Sequence, residues 1–225
     1  MVLVAFDAES RRLAEVMDGL DEASFGRPSP CVPWTAGELL FHVQMTVERL
    51  GVMLAEPEPA GSDLVTASGY YRADERFSAA VNDDRVESAR RSAAALSGAG
   101  ERARAFRAAR DRACSLAAAA SPGRVVRTRH GDRMLLAEFM RTRVLELAVH
   151  GLDLAIAVDL APWITERATS VTSDLLLSPA EAVWLRQAAG WAPVTLIAKL
   201  TGRAPLTEAE AKLAGSLGVP WLALG

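Results

Sequence analysis

The chain has 225 residues, half of them hydrophobic and 24% charged, with a formal net charge of −3. This is enough for one large domain, or one with a small appendage, around a sizeable core, and the composition excludes wholesale disorder, collagen-like repeats and a coiled coil. The slightly acidic balance gives no general attraction for phosphate backbones, so no nucleic-acid partner is expected.

From Leu3 to about Leu20, apolar residues recur at helical spacing (Val4, Leu13, Val16, Met17, Leu20), which predicts a first amphipathic helix. The stretch RPSPCVPWT carries three prolines and ends it. Thr35 and Glu38 then form a T-x-x-E capping box opening a second helix that runs to about Leu54. EPEPAGSD reads as a loop. The Ala- and Arg-rich segment from about Ser68 to Ser121 predicts a short helix followed by one long or broken helix, with breakers at Ser97, Gly98 and Gly100. GRVVRTRHGDRMLL fits a small hairpin turning at Gly131-Asp132 and equally an extended connection.

Leu135 to about Val158 is strongly helix-forming, and four main helices by that point suggest a bundle. Four more helical segments are expected after Pro162. One runs to about Leu177, one opens with S-P-A-E at Ser178–Glu181, one precedes Gly202, and the last opens at Thr207 and Glu210. The fold class is therefore all-α, divided into residues 1–160 and a small, mainly helical part over 161–225. Two cysteines, Cys31 and Cys114, are too few for a disulfide framework or zinc ribbon. No basic leader precedes a long apolar run, and the apolar windows are interrupted by charges, so a cytoplasmic protein without membrane contact is expected. Monomer and homodimer both remain open.

The chemistry concentrates in a chain with only three histidines, His42, His130 and His150. Glu146 and His150 are four apart on RTRVLELAVHGLDLAIA and project from one helix face, where both reach one ion. The same face carries Arg143 and Asp153 among apolar neighbours. Such a stripe faces solvent as ordinary i, i+4 pairs, or it pairs and ligates inside. His42, among Leu39, Leu40, Phe41 and Val43, fits a satisfied core histidine or a third ligand. His130, in the RHGD turn, is expected in solvent. Cys31 fits a small residue buried beneath the Pro-rich loop better than a nucleophile, since no histidine accompanies it in sequence. Trp34 and Trp163 read as packing anchors, and the Ala/Arg face of GERARAFRAARDRA as a solvated surface.

PCVPWTAGELLFHV and RTRVLELAVHGLDLAIAV together resemble the two signature segments of the DinB-like, mycothiol-dependent maleylpyruvate isomerase N-terminal family, over roughly residues 5–160. The resemblance implies a DinB-like four-helix bundle whose divalent metal, usually zinc, is held by His42, Glu146 and His150. It also implies mycothiol, the small-molecule thiol of actinobacteria, as cosubstrate; all but two of the 25 basic residues are arginine, which agrees with that source. The C-terminal part keeps an LTGR element, Leu200–Arg203, but not the strand-rich stretch of many relatives, because SPAEAVWLRQAAGW reads as helix.

Two imidazoles and one carboxylate leave a zinc ion with a charge of about +1 and an open position, the arrangement of a catalytic site. The implied activity is a metal-dependent mycothiol S-transferase or isomerase that adds a thiol to a small electrophile. A metal-dependent hydrolase on the same bundle and a non-catalytic binding or regulatory module are the alternatives. Asp153 is expected, with Arg143, to take part in catalysis by orienting His150 or another polar group, and plain solvation is its alternative. Arg143 is expected to pair with Glu146 or Asp153, or to meet an anionic substrate group. For Arg203, a carboxylate of substrate or thiol competes with plain exposure.

Overall fold

Four long helices carry the molecule: α1 (Val2–Asp18), α3 (Ala36–Ala55), α6 (Ala99–Ala119) and α7 (Leu136–Ala157). The computed structural model describes residues 1–72, 79–93 and 98–218. Parts of the predicted Ser68–Ser121 segment and the last seven residues thus lie outside the described residues. α1 packs on α6 and α7, and α3 packs on the same two, so the order around the bundle is α1, α6, α3, α7. The inward stripe of α6 is Ala103, Phe106, Ala109 and Ala113. Its small members let neighbouring backbones approach, while fully buried Phe106 fills the centre.

Arginines of α6 meet acids across the bundle. Arg110 and Arg107 pair with Asp7 and Asp18 of α1, and Arg102 pairs with Glu22 of the short helix α2 (Glu22–Phe25). The Ala/Arg stretch is therefore in part an ion-pair seam between helices rather than wholly a solvated face. α3 begins at the capping box read from sequence, with both Thr35–Glu38 bonds present. The short helix α4 (Ala67–Tyr70) lies against α7, and α5 (Ala79–Ala93) lies against α3. α6 starts after Gly98, whose φ of +88° favours glycine.

Of the two readings of residues 123–136, the hairpin is found. β1 (Val125–Arg127) and β2 (Arg133–Leu135) pair antiparallel with Val126 opposite Met134. Gly131 turns the chain at a φ of +85°. α7 is buried around most of its circumference, because other helices pack on several of its faces. Its polar residues Arg143, His150 and Asp153 are thus buried rather than solvated.

The C-terminal segments are helical as the spacing predicts: α8 (Glu166–Leu176), α9 (Pro179–Ala189), α10 (Pro193–Leu200) and α11 (Glu208–Ser216). α9 and α11 start at capping boxes, Ser178 with Glu181 and Thr207 with Glu210. α8 packs on α1 and α7, and the N–H of Thr165, its N-cap, donates to buried Glu9 at 2.8 Å. A second apolar cluster joins Leu176, Leu185, Trp191, Leu196, Ile197 and Leu200 to Leu152 of α7. Among the described residues, no helix is long and apolar enough to cross a membrane.

Candidate metal centre

Three side chains from two helices meet on one side of the bundle core. His42 projects from α3, whose first turn is fixed by the Thr35 cap and by the Pro-rich loop folding back on itself. There Ser29 donates through its N–H and its hydroxyl to the carbonyl of Trp34, at 2.9 and 2.8 Å. Trp34 is thereby set over His42, ring centroids 4.7 Å apart. Glu146 and His150 come from successive turns of α7. His150 Nε2 lies 3.3 Å from Glu146 Oε2, and His42 Nε2 lies 3.9 Å from the same oxygen. The two imidazoles stand edge-on with centroids 5.2 Å apart.

The two oxygens of Glu146 have separate neighbours. Oε2 faces the imidazoles, whereas Oε1 accepts from Tyr71 Oη at 3.0 Å and lies 3.8 Å from Arg143 Nη2. The single Tyr71 proton is shared with the carbonyl of Thr142, also 3.0 Å away. Burial, reinforced by the Glu146 charge, pushes the Tyr71 phenol well above its usual pKa, so it stays a donor. Burial alone would raise Glu146, but the imidazoles of His150 and His42 and the Arg143 charge outweigh it and hold the carboxyl well below its usual range. Arg143 is buried over the Phe139 ring, 4.6 Å from its centroid, and meets Glu146, one of its expected partners.

On its other edge His150 presents Nδ1 to Asp153 Oδ2 at 3.0 Å. Burial would lower the His150 pKa, but Asp153, Cys31 and Glu146 together raise it well above its usual value. Asp153 is held in turn by Arg203, whose Nε and Nη2 donate to Oδ1 and Oδ2 at 3.1 and 3.2 Å. The carboxylate Arg203 meets is thus a buried residue of this chain, and the guanidinium is mostly covered rather than exposed. Against burial, His150 and Arg203 lower the Asp153 carboxyl to about 2.

Several neighbours were not legible in the sequence. Cys31 is half-buried and its thiol lies 3.1 Å from Asp153 Oδ2 and 3.9 Å from His150 Nδ1, so a histidine accompanies it in space though not in sequence. His130, expected in solvent, is half-buried in the cleft above the site with its ring centroid 5.6 Å from that of Tyr70. Tyr71 reaches Glu146 from 75 residues away because α4 docks on α7. The Tyr70-Tyr71 pair, in a chain with no other tyrosine, was the one available signal.

Ligand atoms of His42, Glu146 and His150 all lie within 4.8 Å of one another. A tetrahedral ion with bonds of 2.0–2.1 Å has ligand-to-ligand edges of about 3.3 Å, so small side-chain shifts suffice to hold zinc. Cys31, His150 and Asp153 form a second such group. Its carboxylate is already neutralised by Arg203, and Asp153 is placed to accept Nδ1–H of His150, so the nitrogen left to give up its proton to an incoming ion is Nε2, which faces Glu146. The donor set of His42, Glu146 and His150 is therefore the better fit to a divalent cation.

No curated protein and no solved structure matches the chain. The family described as the mycothiol maleylpyruvate isomerase N-terminal domain matches residues 6–155, which hold the four long helices nearly entire and all three candidate ligands. With a DinB-like helical bundle and a match over two-thirds of its length, the chain belongs to the mycothiol maleylpyruvate isomerase N-terminal domain family.

Proposed function

We propose that the protein is a metal-dependent mycothiol S-transferase or isomerase in which His42, Glu146 and His150 hold a divalent ion, zinc by the chemistry of the donor set, and a thiol is added to a small electrophile. The observation that carries the reading is the convergence of two imidazole Nε2 atoms on one carboxylate oxygen at the floor of a cleft, in a chain of this family. A bound zinc ion supplies Lewis acidity that lowers the pKa of a thiol or water entering the site. The protein's part is orientation. Asp153 fixes the His150 tautomer, Arg203 fixes Asp153, and Tyr71 and Arg143 occupy Oε1 so that Oε2 remains for the ion. Trp34 and Phe139 give the cleft apolar walls that limit water around the reacting atoms. Residues 1–160 carry this site in our reading, and residues 161–225 buttress it through Arg203.

The test is turnover of a panel of electrophiles by zinc-loaded protein, with mycothiol, unrelated thiols and no thiol. Product formation that requires mycothiol supports the reading. Full activity without thiol, with oxygen from water in the product, rejects it in favour of a hydrolase.

A further inference from the structure

The cavity above the candidate metal centre is small. Its volume is about 60 Å³, room for a few water molecules, whereas pockets that hold small-molecule ligands run to roughly 300–1,000 Å³. A thiol and an electrophile do not fit into that space together, so part of its wall has to move. Most of the lining side chains belong to α3 and α7, long helices packed on one another in the bundle. The rest come from outside the four long helices: Trp34, Tyr70 and Tyr71 at the end of α4, and Arg129 and His130 from the turn between β1 and β2.

Trp34 and α4 are tied down. Ser29 holds the Trp34 carbonyl through two bonds, Ala67 N–H donates to Glu138 Oε2 at 2.8 Å, and Tyr71 Oη donates to Glu146. The hairpin is fixed only at its base, where Val126 and Met134 enter the core and Val125 N–H donates to Glu58. At the tip, Thr128 N–H donates to the Asp132 carbonyl at 2.8 Å and Gly131 N–H to the Thr128 carbonyl at 2.9 Å. His130 N–H donates to Thr128 Oγ1 at 3.2 Å, and Arg129 Nε lies 3.1 Å from His130 Nε2. These four bonds close on the tip itself, and none has to break for it to swing as a unit. Gly131 is exposed, and a Cβ added there would meet nothing within 4 Å among the described residues, so the outer side of the tip is open. Towards the bundle, the His130 ring rests 5.6 Å from that of Tyr70, which is itself wedged edge-on against Phe139 and Tyr71.

We propose that the hairpin tip, residues 129–131, is a gate over the candidate metal centre and that the His130–Tyr70 contact is its latch. Closed, the tip keeps bulk water and reactive small molecules off the site; swung out, it admits the ligand. The core residues at the hairpin base stay in place while the tip moves, a loop motion of the nanosecond-to-microsecond class. The inference rests on the cleft being the way to that centre, as in the proposed transferase, and on no step of its chemistry.

The test follows zinc rather than turnover. Stopped-flow mixing of metal-free protein with zinc gives the on-rate, and excess chromogenic chelator gives the off-rate, for wild type, His130→Ala and His130→Phe. A gate controls passage in both directions, so loosening it speeds both rates by one factor and leaves Kd unchanged. His130→Ala should raise both rates roughly three- to tenfold, the factor for loss of one ring–ring contact, and His130→Phe, which keeps a ring on Tyr70, should stay within about twofold of wild type. In His130→Ala, entry of glutathione into cobalt-loaded protein, read from its visible absorption, should quicken more than entry of mercaptoethanol, because the larger thiol needs the wider opening. The metal-free proteins should melt alike, since His130 lies outside the core. Unchanged zinc rates in His130→Ala overturn the gate, as does a shift in Kd carried by one rate alone. His130→Phe as fast as His130→Ala overturns the latch. Faster zinc exchange at unchanged Kd in a protein that turns over no electrophile with any thiol upholds the gate and sinks the transferase reading. Mycothiol-dependent turnover with unaltered zinc rates does the reverse.

Discussion

Replacing Tyr71 by phenylalanine removes one hydroxyl and nothing else from the surroundings of Glu146. The lost bond is 3.0 Å long and ends on a carboxylate whose side chain is 15% exposed. A hydrogen bond to a charged group is worth about 1.5–3 kcal/mol. Two features favour the low end: the Tyr71 proton is shared with the carbonyl of Thr142, and Arg143 Nη2, 3.8 Å from Oε1, has room to close in. About 1.5 kcal/mol corresponds to roughly tenfold weaker metal binding. Competition titration of zinc against a chromogenic chelator measures this, with melting of the two metal-free proteins as control. The ring stays buried, so the metal-free variant should melt within a few degrees of metal-free wild type. Zinc affinity unchanged within twofold would show that Tyr71 does not orient the carboxylate. An equal loss of melting temperature with and without metal would reduce its role to packing.

Arg203→Gln should weaken zinc binding by about ten- to a hundredfold through Asp153 and His150, although Arg203 lies outside the cleft; unaltered affinity would uncouple α10 and its following turn from the site. Chelation should lower the melting temperature by roughly 8–16 °C from a state holding free zinc at about 1,000 times its Kd, because some 4 kcal/mol of linkage is lost at about 2–4 °C per kcal/mol. A superimposable melting curve would refute a shared metal between α3 and α7. Glu9 supplies a pH test remote from the site. Burial raises its carboxyl above 4.5 despite the bond from Thr165, so the folded state binds the proton more tightly than the unfolded state. Its stabilising contribution is complete below about pH 4.5 and is lost as pH rises through the folded value. Urea unfolding should show wild type losing stability relative to Glu9→Gln as pH rises from 4.5 towards 7, and parallel curves would count against it.

Local rules made much of this molecule legible. The boxes at Thr35, Ser178 and Thr207 placed three helix starts because a cap depends on residues three apart. The pair Glu146–His150 was legible for the same reason, and His42 stood out as a polar residue within an apolar helix. The partners of these residues were not, since each arrives over a long sequence separation with no period to betray it. Tyr71 depends on how α4 docks on α7, Cys31 on how the Pro-rich loop folds back over α3, and Arg203 on the turn after α10. The sense of the Glu146 stripe was likewise undecided from sequence. An i, i+4 acid–histidine pair looks the same on a solvated face as in a core, and only the helices packed around α7 bury it.

The central claim is that one ion joins α3 to α7 through His42, Glu146 and His150. Anomalous diffraction at the zinc edge from crystals of metal-loaded protein tests it most directly, because His150 has two distinct edges. The account predicts a single strong peak about 2 Å from Nε2 of His150, Nε2 of His42 and Oε2 of Glu146, with Nδ1 of His150 still bonded to Asp153. A peak on the opposite edge, among Cys31, Nδ1 of His150 and Asp153, or no peak in protein that retains thiol-dependent turnover, would contradict it.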